Sequence, residues 1–309
     1  MERGLLSKKQ CLLLLLITLL ACFASYRPSP ITLDSSIFLS MAYHLKNGRL
    51  LYAEIWDNKP PVTYFSYYLA YSIFPDIRVV HLLRLFGFAA IAFALTLVLL
   101  SKNDDIKLVV LTMVPSLLLL HGLNEQTCSA DLLGQYWFAA FLATALYFKS
   151  WPIASFFAAL TVLCKEPYCL VILPWLIQGF WALAESLDGE QLKSRRLKMV
   201  FAFLLPNLIF LSYLLLTGTF DDYLYTLGVN FAFSQRVAGQ SLLSFFIFGS
   251  TIGKRLLIPL LTFLVYRVIL DEDKSTIEDK VLLFGLITSS LAVSMAKRDF
   301  LNYSIMAFA

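Results

Sequence analysis

The stretch CLLLLLITLL, Cys11–Leu20, contains ten consecutive residues without a charged side chain. Strands of a membrane β-barrel alternate apolar with polar residues, and this stretch does not alternate. It therefore predicts a helix in an apolar environment. Arg3, Lys8 and Lys9 precede it, and it ends at ACFAS, which is similar to a secretory signal with its cleavage site. Because many further apolar segments follow, we interpret it as a retained first membrane helix whose basic end lies in the cytoplasm.

The whole chain has the composition of a membrane protein. Hydrophobic residues make up 59% of its 309 residues and charged residues 15%, whereas soluble domains are usually ~45–50% apolar and ~25% charged. No long polar stretch could form a second domain, so we predict one all-α domain over residues 1–309, a polytopic bundle of transmembrane helices. The net charge of +4 is spread out and does not indicate nucleic-acid binding. The chain stops at NYSIMAFA, within a further apolar segment, which predicts a domain truncated at its C-terminus.

Eleven apolar segments are candidates for membrane helices. Several are shorter than the ~17 residues that a crossing needs and must include flanking residues, or else they do not cross. The segments are approximately Cys11–Ser25, Val62–Phe74, Val79–Leu100, Leu108–Leu120, Leu132–Phe148, Trp151–Leu163, Tyr168–Ala184, Met199–Leu216, Leu242–Phe248, Leu256–Leu270 and Val281–Met295.

The distribution of basic residues predicts which segments cross. Residues 193–198 form the densest basic cluster and, like the basic N-terminus, are predicted to lie in the cytoplasm. Two cytoplasmic points require an even number of crossings between them, and seven segments lie between these two. We therefore predict that Val62–Phe74, with tyrosines at helical spacing after a double proline, lies in the interface; Leu108–Leu120 and Trp151–Leu163 are the alternatives. The outer loops are then Arg27–Pro61, His121–Asp131, Lys165–Pro167 and Thr217–Ser241.

The first outer loop holds most of the candidate site residues. Its stretch DSSIFLSMAYHLKNG, which begins at Asp34, has apolar residues at i, i+4 and i+8 and predicts a short amphipathic helix on the membrane surface. Asp34 either caps this helix or acts as a general base at headgroup depth. In YAEIWDNKPPVTYF, which begins at Tyr52, Lys59 directly precedes the double proline and either snorkels or pairs with a phosphate. Glu54 and Asp57 are either solvated loop charges or acids lining a cavity.

Three further short polar stretches lie between or after the apolar segments. GLNEQTCSAD contains Glu125, LCKEPYCL contains Lys165 and Glu166, and AKRDFLNY contains Arg298 and Tyr303. Ionisable groups at membrane depth are costly, which makes them candidates for a functional role. Lys165 and Glu166 alternatively form a structural ion pair. The stretch DDYLYTLGVNFAFSQR predicts an outer amphipathic helix that closes a cavity or contributes an interfacial aromatic belt.

The segment D-SSIFLSMAYHL-NG-LLYAEIWDNKPPVTYF resembles the first outer loop of the GT-C glycosyltransferases. It is most similar to the bacterial relatives of dolichyl-phosphate-mannose protein mannosyltransferases and of the lipid A aminoarabinose transferase. Those enzymes have an acidic residue soon after the first transmembrane helix and then a stretch of the form pY.d.wd.KpP. The matching residues are Asp34, Tyr52, Trp56, Asp57, Lys59, Pro60 and Pro61. Weaker similarity continues at NEQTCSAD, KEPYCL and KRDFLNYS.

The resemblance implies an inverting transferase of the inner membrane that uses a polyprenyl-phosphate-linked sugar on the periplasmic or exterior face. Asp34 would then deprotonate the acceptor hydroxyl of a glycan, a lipid or a protein. Lys59, together with Arg298, would hold the donor phosphate. Some members bind a divalent metal near these acids, and that prediction is left open. Acidic or polar residues that would line the cavity are Asp57, Glu54, Glu125 and Tyr303.

The alternative function is a non-catalytic transporter or flippase of a lipid-linked glycan. A transporter predicts ionisable residues near the middle of its helices and usually an internal repeat. In this chain the charges lie at segment ends, and no repeat is visible. We therefore prefer the transferase.

Overall fold

The computed structural model describes residues 8–25, 31, 33–100, 130–166, 168–186 and 189–236. These residues form helices and contain no β-strand, which confirms the predicted all-α class for this part of the chain. The helices are α1 (Lys8–Ser25), α2 (Leu33–Lys46), α3 (Pro61–Ile73), α4 (Val79–Leu100), α5 (Ala130–Leu142, continued by a π-helical turn at Ala143–Tyr147), α6 (Trp151–Val162), α7 (Tyr168–Ser186), α8 (Gly189–Thr217) and α9 (Phe220–Arg236).

Most helix boundaries lie within about three residues of the predicted apolar segments. Helix α8 is the exception, because its apolar segment is predicted from Met199 and the helix begins at Gly189, so that the basic residues 193–198 are helical. The interfacial segment predicted over Val62–Phe74 is α3, which starts at the second proline because proline suits the first turn of a helix. Its 13 residues measure about 20 Å, less than the ~30 Å hydrocarbon core of a bilayer. The competing candidate, α6, has only 12 residues, so helix length does not decide which of them crosses. The segments at 108–120 and beyond residue 236 lie outside the described residues.

Within the described part of the chain, two helices are long and apolar enough to cross a membrane, judged by length and composition: α4 over Val79–Val98, and α8. Only 22% of the apolar window of α8 is buried within the protein. Such an uncovered apolar surface is unfavourable in water, and it indicates association with a membrane. Its exposed apolar side chains are Leu197, Val200, Phe201, Leu204, Leu205, Leu208, Ile209, Leu211, Leu215 and Leu216.

Three clusters of buried side chains organise the described helices; one of them joins α1 to α4 and α5, and the other two involve the remaining helices. Of these two, the first joins α2, α3 and the loop between them to the starts of α4 and α5 and to the ends of α6 and α8. The second joins the remainder of α5 to α6, α7 and Met199 of α8, which directly follows the basic residues of that helix. The helices therefore run back and forth between the two clusters. The first cluster supports the loop that contains Lys59.

Close packing of α4 against α5 depends on Gly87. A Cβ atom at this position would overlap the ring of Tyr136 on α5. We expect Gly87→Ala to lower the free energy of unfolding by ~1–3 kcal/mol, because a rigid ring in a packed interface has little room to move. The measurement is the apparent melting temperature of the purified protein in detergent. Gly228→Ala on α9 is the matched control, since a Cβ there meets nothing within 4 Å, and equal effects of the two variants would contradict the prediction.

Candidate functional site

The loop between α2 and α3 is shaped by a tyrosine in a left-handed conformation. Tyr52 has φ 74°, and its backbone N–H donates to the carbonyl of Ile55 at 2.9 Å. For a residue with a bulky side chain this conformation costs ~1–3 kcal/mol. The ring is only 2% exposed, and it packs against Tyr64, Phe210 and Tyr223 with centroid distances of 6.3, 6.3 and 5.0 Å. Burial of this ring offsets the cost of the turn.

Two buried tyrosines hold the backbone of Lys59 from both sides. The hydroxyl of Tyr52 donates to the Lys59 carbonyl at 3.0 Å, and the Lys59 N–H donates to the Tyr64 hydroxyl at 2.8 Å. Burial raises the pKa of both phenols well above the ordinary value, so both remain neutral and able to make these bonds. The half-buried Lys59 side chain donates from Nζ to Asn58 Oδ1 at 2.6 Å. The backbone of the lysine is thus fixed by contacts that do not use its charge.

Asp57 belongs to the same network. Its carboxylate accepts a hydrogen bond from the Asn58 N–H at 2.7 Å, and it lies close enough to the Tyr64 hydroxyl to contribute, after burial, to the raised pKa of that phenol. Both contacts brace the loop just before Lys59. The sequence analysis predicts that Asp57 lines the cavity, and the structure gives it a half-buried position within the loop.

Helix α9 and the end of α8 form hydrogen bonds with the loop between α2 and α3. Trp56 Nε1 donates to the hydroxyl of Thr226 at 2.9 Å, and the amide of Asn230 donates to the Asn58 carbonyl at 2.8 Å. The N–H of Leu51 donates to the hydroxyl of Tyr213 at 3.1 Å. These partners could not be predicted from the sequence, because each lies about half the chain away from the loop residue that it binds.

The turn after α6 attaches to the other side of the loop. The Val62 N–H donates to the carbonyl of Leu163 at 3.0 Å, and the Thr63 hydroxyl donates to that of Cys164 at 3.1 Å. These bonds use the backbone N–H of Val62 and the carbonyls of Leu163 and Cys164, at helix ends where such groups lack a partner within the helix. They place Glu166, two residues further on, beside Lys59.

Glu166 lies within electrostatic range of Lys59. It is exposed to solvent, yet protein surrounds its carboxyl on most sides. This burial raises the pKa of Glu166, whereas the positive charges of Lys59 and of the buried Lys165 act to lower it. Burial, and to a smaller degree the charge of Glu166, raises the pKa of Tyr52 and Tyr223. We call Lys59, Glu166, Tyr52, Tyr64 and Tyr223 the Lys59 cluster.

The contacts between α2 and α3 show that these two helices run parallel. Phe38 in the second turn of α2 packs against Tyr64 near the start of α3, at 5.9 Å between centroids. Towards the end of α2, Tyr43 packs against Tyr71 near the end of α3, at 6.5 Å. The starts of both helices therefore lie at the same end of the pair.

Asp34 lies at that shared end. It is in the first turn of α2, one helical turn before Phe38, and it is exposed. Lys59 lies directly before the start of α3. The register of the pair thus brings Asp34 to the end of the helix pair that carries the Lys59 cluster. A carboxylate in the first turn also interacts favourably with the helix dipole, so the capping interpretation of Asp34 stays open.

The remaining candidate residues lie elsewhere. Glu54 is exposed and accepts hydrogen bonds from Arg49 Nη1 and from the Leu50 N–H, both at 2.8 Å. The hydrogen bond from Arg49 lowers the pKa of Glu54, and the pair closes the start of the loop. The described residues contain no group of three or more metal-ligating side chains. Glu125, Arg298 and Tyr303 lie outside the described residues.

Glu166 makes the stability of the fold depend on pH. Because folding raises its pKa above the ordinary value of 4.5, the folded protein holds this proton more tightly, and the fold loses stability as pH rises above about 4.5. We expect Glu166→Gln to raise the apparent melting temperature at pH 7, and the gain to disappear below about pH 4.5, where the carboxyl is protonated in both states. Melting curves in detergent at several pH values measure this.

Glu54→Gln is the control, because its effect on stability should depend on pH in the opposite direction. The pKa of Glu54 is lowered by Arg49, so its contribution to stability is present above about pH 4.5 and is lost on acidification. The effect should be small, because the pair is exposed. Equal behaviour of the two variants across the pH range would contradict the raised pKa of Glu166 and the burial that causes it.

Comparisons of the chain with protein-family models, with curated protein sequences and with solved structures found no match. A functional assignment therefore depends on the geometry of the Lys59 cluster and on the motif that surrounds Lys59. Both concern the same short segment of the chain.

Proposed function

We propose that the protein is a multi-pass inner-membrane glycosyltransferase of the GT-C type, with its N-terminus in the cytoplasm. It transfers a sugar from a polyprenyl-phosphate-linked donor to an acceptor hydroxyl on the outer face, with inversion. The observation that supports this most is the position of Lys59. Two buried tyrosines fix its backbone, and its half-buried side chain lies within electrostatic range of Glu166. A cation fixed in this way suits the phosphate of a lipid-linked donor.

In the proposed reaction, Asp34 accepts the proton of the acceptor hydroxyl. The acceptor oxygen attacks the anomeric carbon from the face opposite the phosphate. A bond forms between that oxygen and the anomeric carbon, and the bond from the carbon to the phosphate oxygen breaks. The electron pair leaves with the polyprenyl phosphate. The exposed position of Asp34 supports this role, because a general base must reach a hydroxyl that arrives from outside the protein.

Lys59 stabilises the charge that develops on the departing phosphate. This interaction strengthens as the bond breaks, so it lowers the barrier and does more than tighten binding of the donor. Arg298 would add a second cation there. Because the donor is carried on a lipid, the reaction needs no nucleotide-binding motif, in agreement with the absence of a phosphate-binding glycine loop from the sequence.

The test is a transfer assay with the purified protein in liposomes. The donors are polyprenyl phosphates that carry a radiolabelled hexose or pentose, and the acceptors are a glycan, lipid A and an acceptor peptide. The proposal predicts labelled acceptor together with an equal amount of sugar-free polyprenyl phosphate. An anomeric centre of retained configuration in the product would contradict the single displacement.

The same vesicles distinguish the transporter. A flippase moves intact donor between the leaflets and releases no polyprenyl phosphate. Label that becomes accessible on the opposite leaflet, without loss of sugar from the lipid, would favour the transporter over the enzyme.

A further inference from the structure

A band of positive charge surrounds α8 near its N-terminus. Lys193, Arg195, Arg196 and Lys198 fall within six residues, and we call them the basic collar. Lys193, Arg195 and Lys198 are exposed, and Arg196 is half-buried. Their positions point in different directions around the helix, because successive residues of a helix are separated by about 100°. The charge therefore surrounds the helix and does not form a single stripe.

The collar lies at the border of an uncovered apolar surface. Leu197, within the collar, is 54% exposed, and Phe201, one turn further, is 61% exposed. Trp181 on α7 is 65% exposed. It is held close to the collar, because Arg196 Nη2 donates to the carbonyl of the adjacent Phe180 at 3.0 Å. Cations, a tryptophan and exposed apolar side chains at one level mark the boundary between headgroups and hydrocarbon.

We propose that the basic collar binds the headgroups of anionic phospholipids in the leaflet that surrounds this end of α8. The exposed side chains present three positive charges, and the nearest acid described on the same helix is Glu190. The phosphates of anionic lipids complement this charge, while their acyl chains cover the apolar side chains beyond it. The proposal requires that α8 enters a membrane, and it is independent of the glycosyltransferase reaction.

The energetics favour enrichment of anionic lipid at this position. Each Lys or Arg close to an anionic surface contributes about a fivefold preference at physiological ionic strength. The three side chains share neighbouring lipids, so their contributions are not fully additive. We therefore expect the anionic fraction of the lipid around the collar to exceed that of the bulk bilayer by at least about fivefold.

Fluorescence quenching of Trp181 measures this enrichment. The full chain is reconstituted in phosphatidylcholine vesicles with a small fixed fraction of phosphatidylglycerol, and either lipid carries bromine on its acyl chains. The contribution of Trp181 is the difference between the wild type and Trp181→Phe. Brominated phosphatidylglycerol is expected to quench Trp181 strongly. The quenching should equal that calculated for random lipid mixing in a bilayer with about five times as much brominated phosphatidylglycerol.

Variants then test the collar itself. The triple variant Lys193→Gln, Arg195→Gln, Lys198→Gln is expected to reduce quenching to the value for random lipid mixing. The matched variant Lys193→Arg, Arg195→Lys, Lys198→Arg keeps the charge and is expected to keep the enrichment. Random mixing around the wild type, or enrichment that survives the triple glutamine variant, would overturn the proposal. Sugar transfer by the same samples is measured separately, so failure of one proposal does not imply failure of the other.

Discussion

Lys59→Ala is expected to lower the rate of sugar transfer by about 10²–10³-fold, the typical cost of removing one fixed group that stabilises charge in a transition state. The loop should keep its shape, because the bonds from Tyr52 and to Tyr64 use only the backbone of Lys59. The loss should therefore appear mainly in kcat, with unchanged expression and melting temperature. The measurement is steady-state transfer from a polyprenyl-phosphate sugar in liposomes.

Two further variants define the origin of this effect. Lys46→Ala removes an exposed lysine from the end of α2, where it lies 5.4 Å from the ring of Tyr71, and should leave transfer unchanged. Lys59→Arg keeps the charge but changes its shape and reach, so it should retain part of the activity. If Lys59→Ala and Lys46→Ala transfer sugar equally well, Lys59 does not hold the donor phosphate.

Asp34→Asn is expected to reduce transfer by about 10²–10⁴-fold, the usual contribution of a positioned general base. Asparagine preserves the size of the side chain and is an equally good helix cap, so a purely structural role of Asp34 predicts little change.

Asp221→Asn is the matched control for Asp34→Asn. Both residues are exposed acids in the first turn of a helix, on α9 and α2 respectively. A helix-dipole effect would therefore be similar in the two variants. Equal activity losses would show that the helix end, and not general base catalysis, explains the result at Asp34.

Local sequence pattern was sufficient to predict the helices. The all-α class, the helix after the double proline and the short amphipathic helix before it each depend on side chains within a few turns of one another. The apolar stripe predicted on α2 is Ile37, Met41 and Leu45, and these residues are half-buried against α3 and its surroundings. The stripe thus packs partly against protein, because the neighbouring Phe38 and Ala42 turn that side of the helix towards α3.

The internal structure of the site could not be predicted from local pattern. The left-handed turn at Tyr52 contradicts the preference of a tyrosine for extended or helical backbone, and only distant aromatic partners make it favourable. Lys59 could be singled out because it precedes two prolines. Its neighbour Glu166 was identified only as half of a possible ion pair with Lys165, since nothing in LCKEPYCL indicates that this turn attaches to the start of α3.

The long-range bonds of the Lys59 loop also set the order in which the protein can mature during synthesis. Trp56 and Asn58 bind partners 170 and 172 residues later in the chain. When the ribosome has made only the first two hundred residues, the loop has left the ribosome without the helix that holds it. The Lys59 loop can form all of its hydrogen bonds only after Asn230 has emerged, so the candidate site stays incomplete during most of the synthesis of the chain.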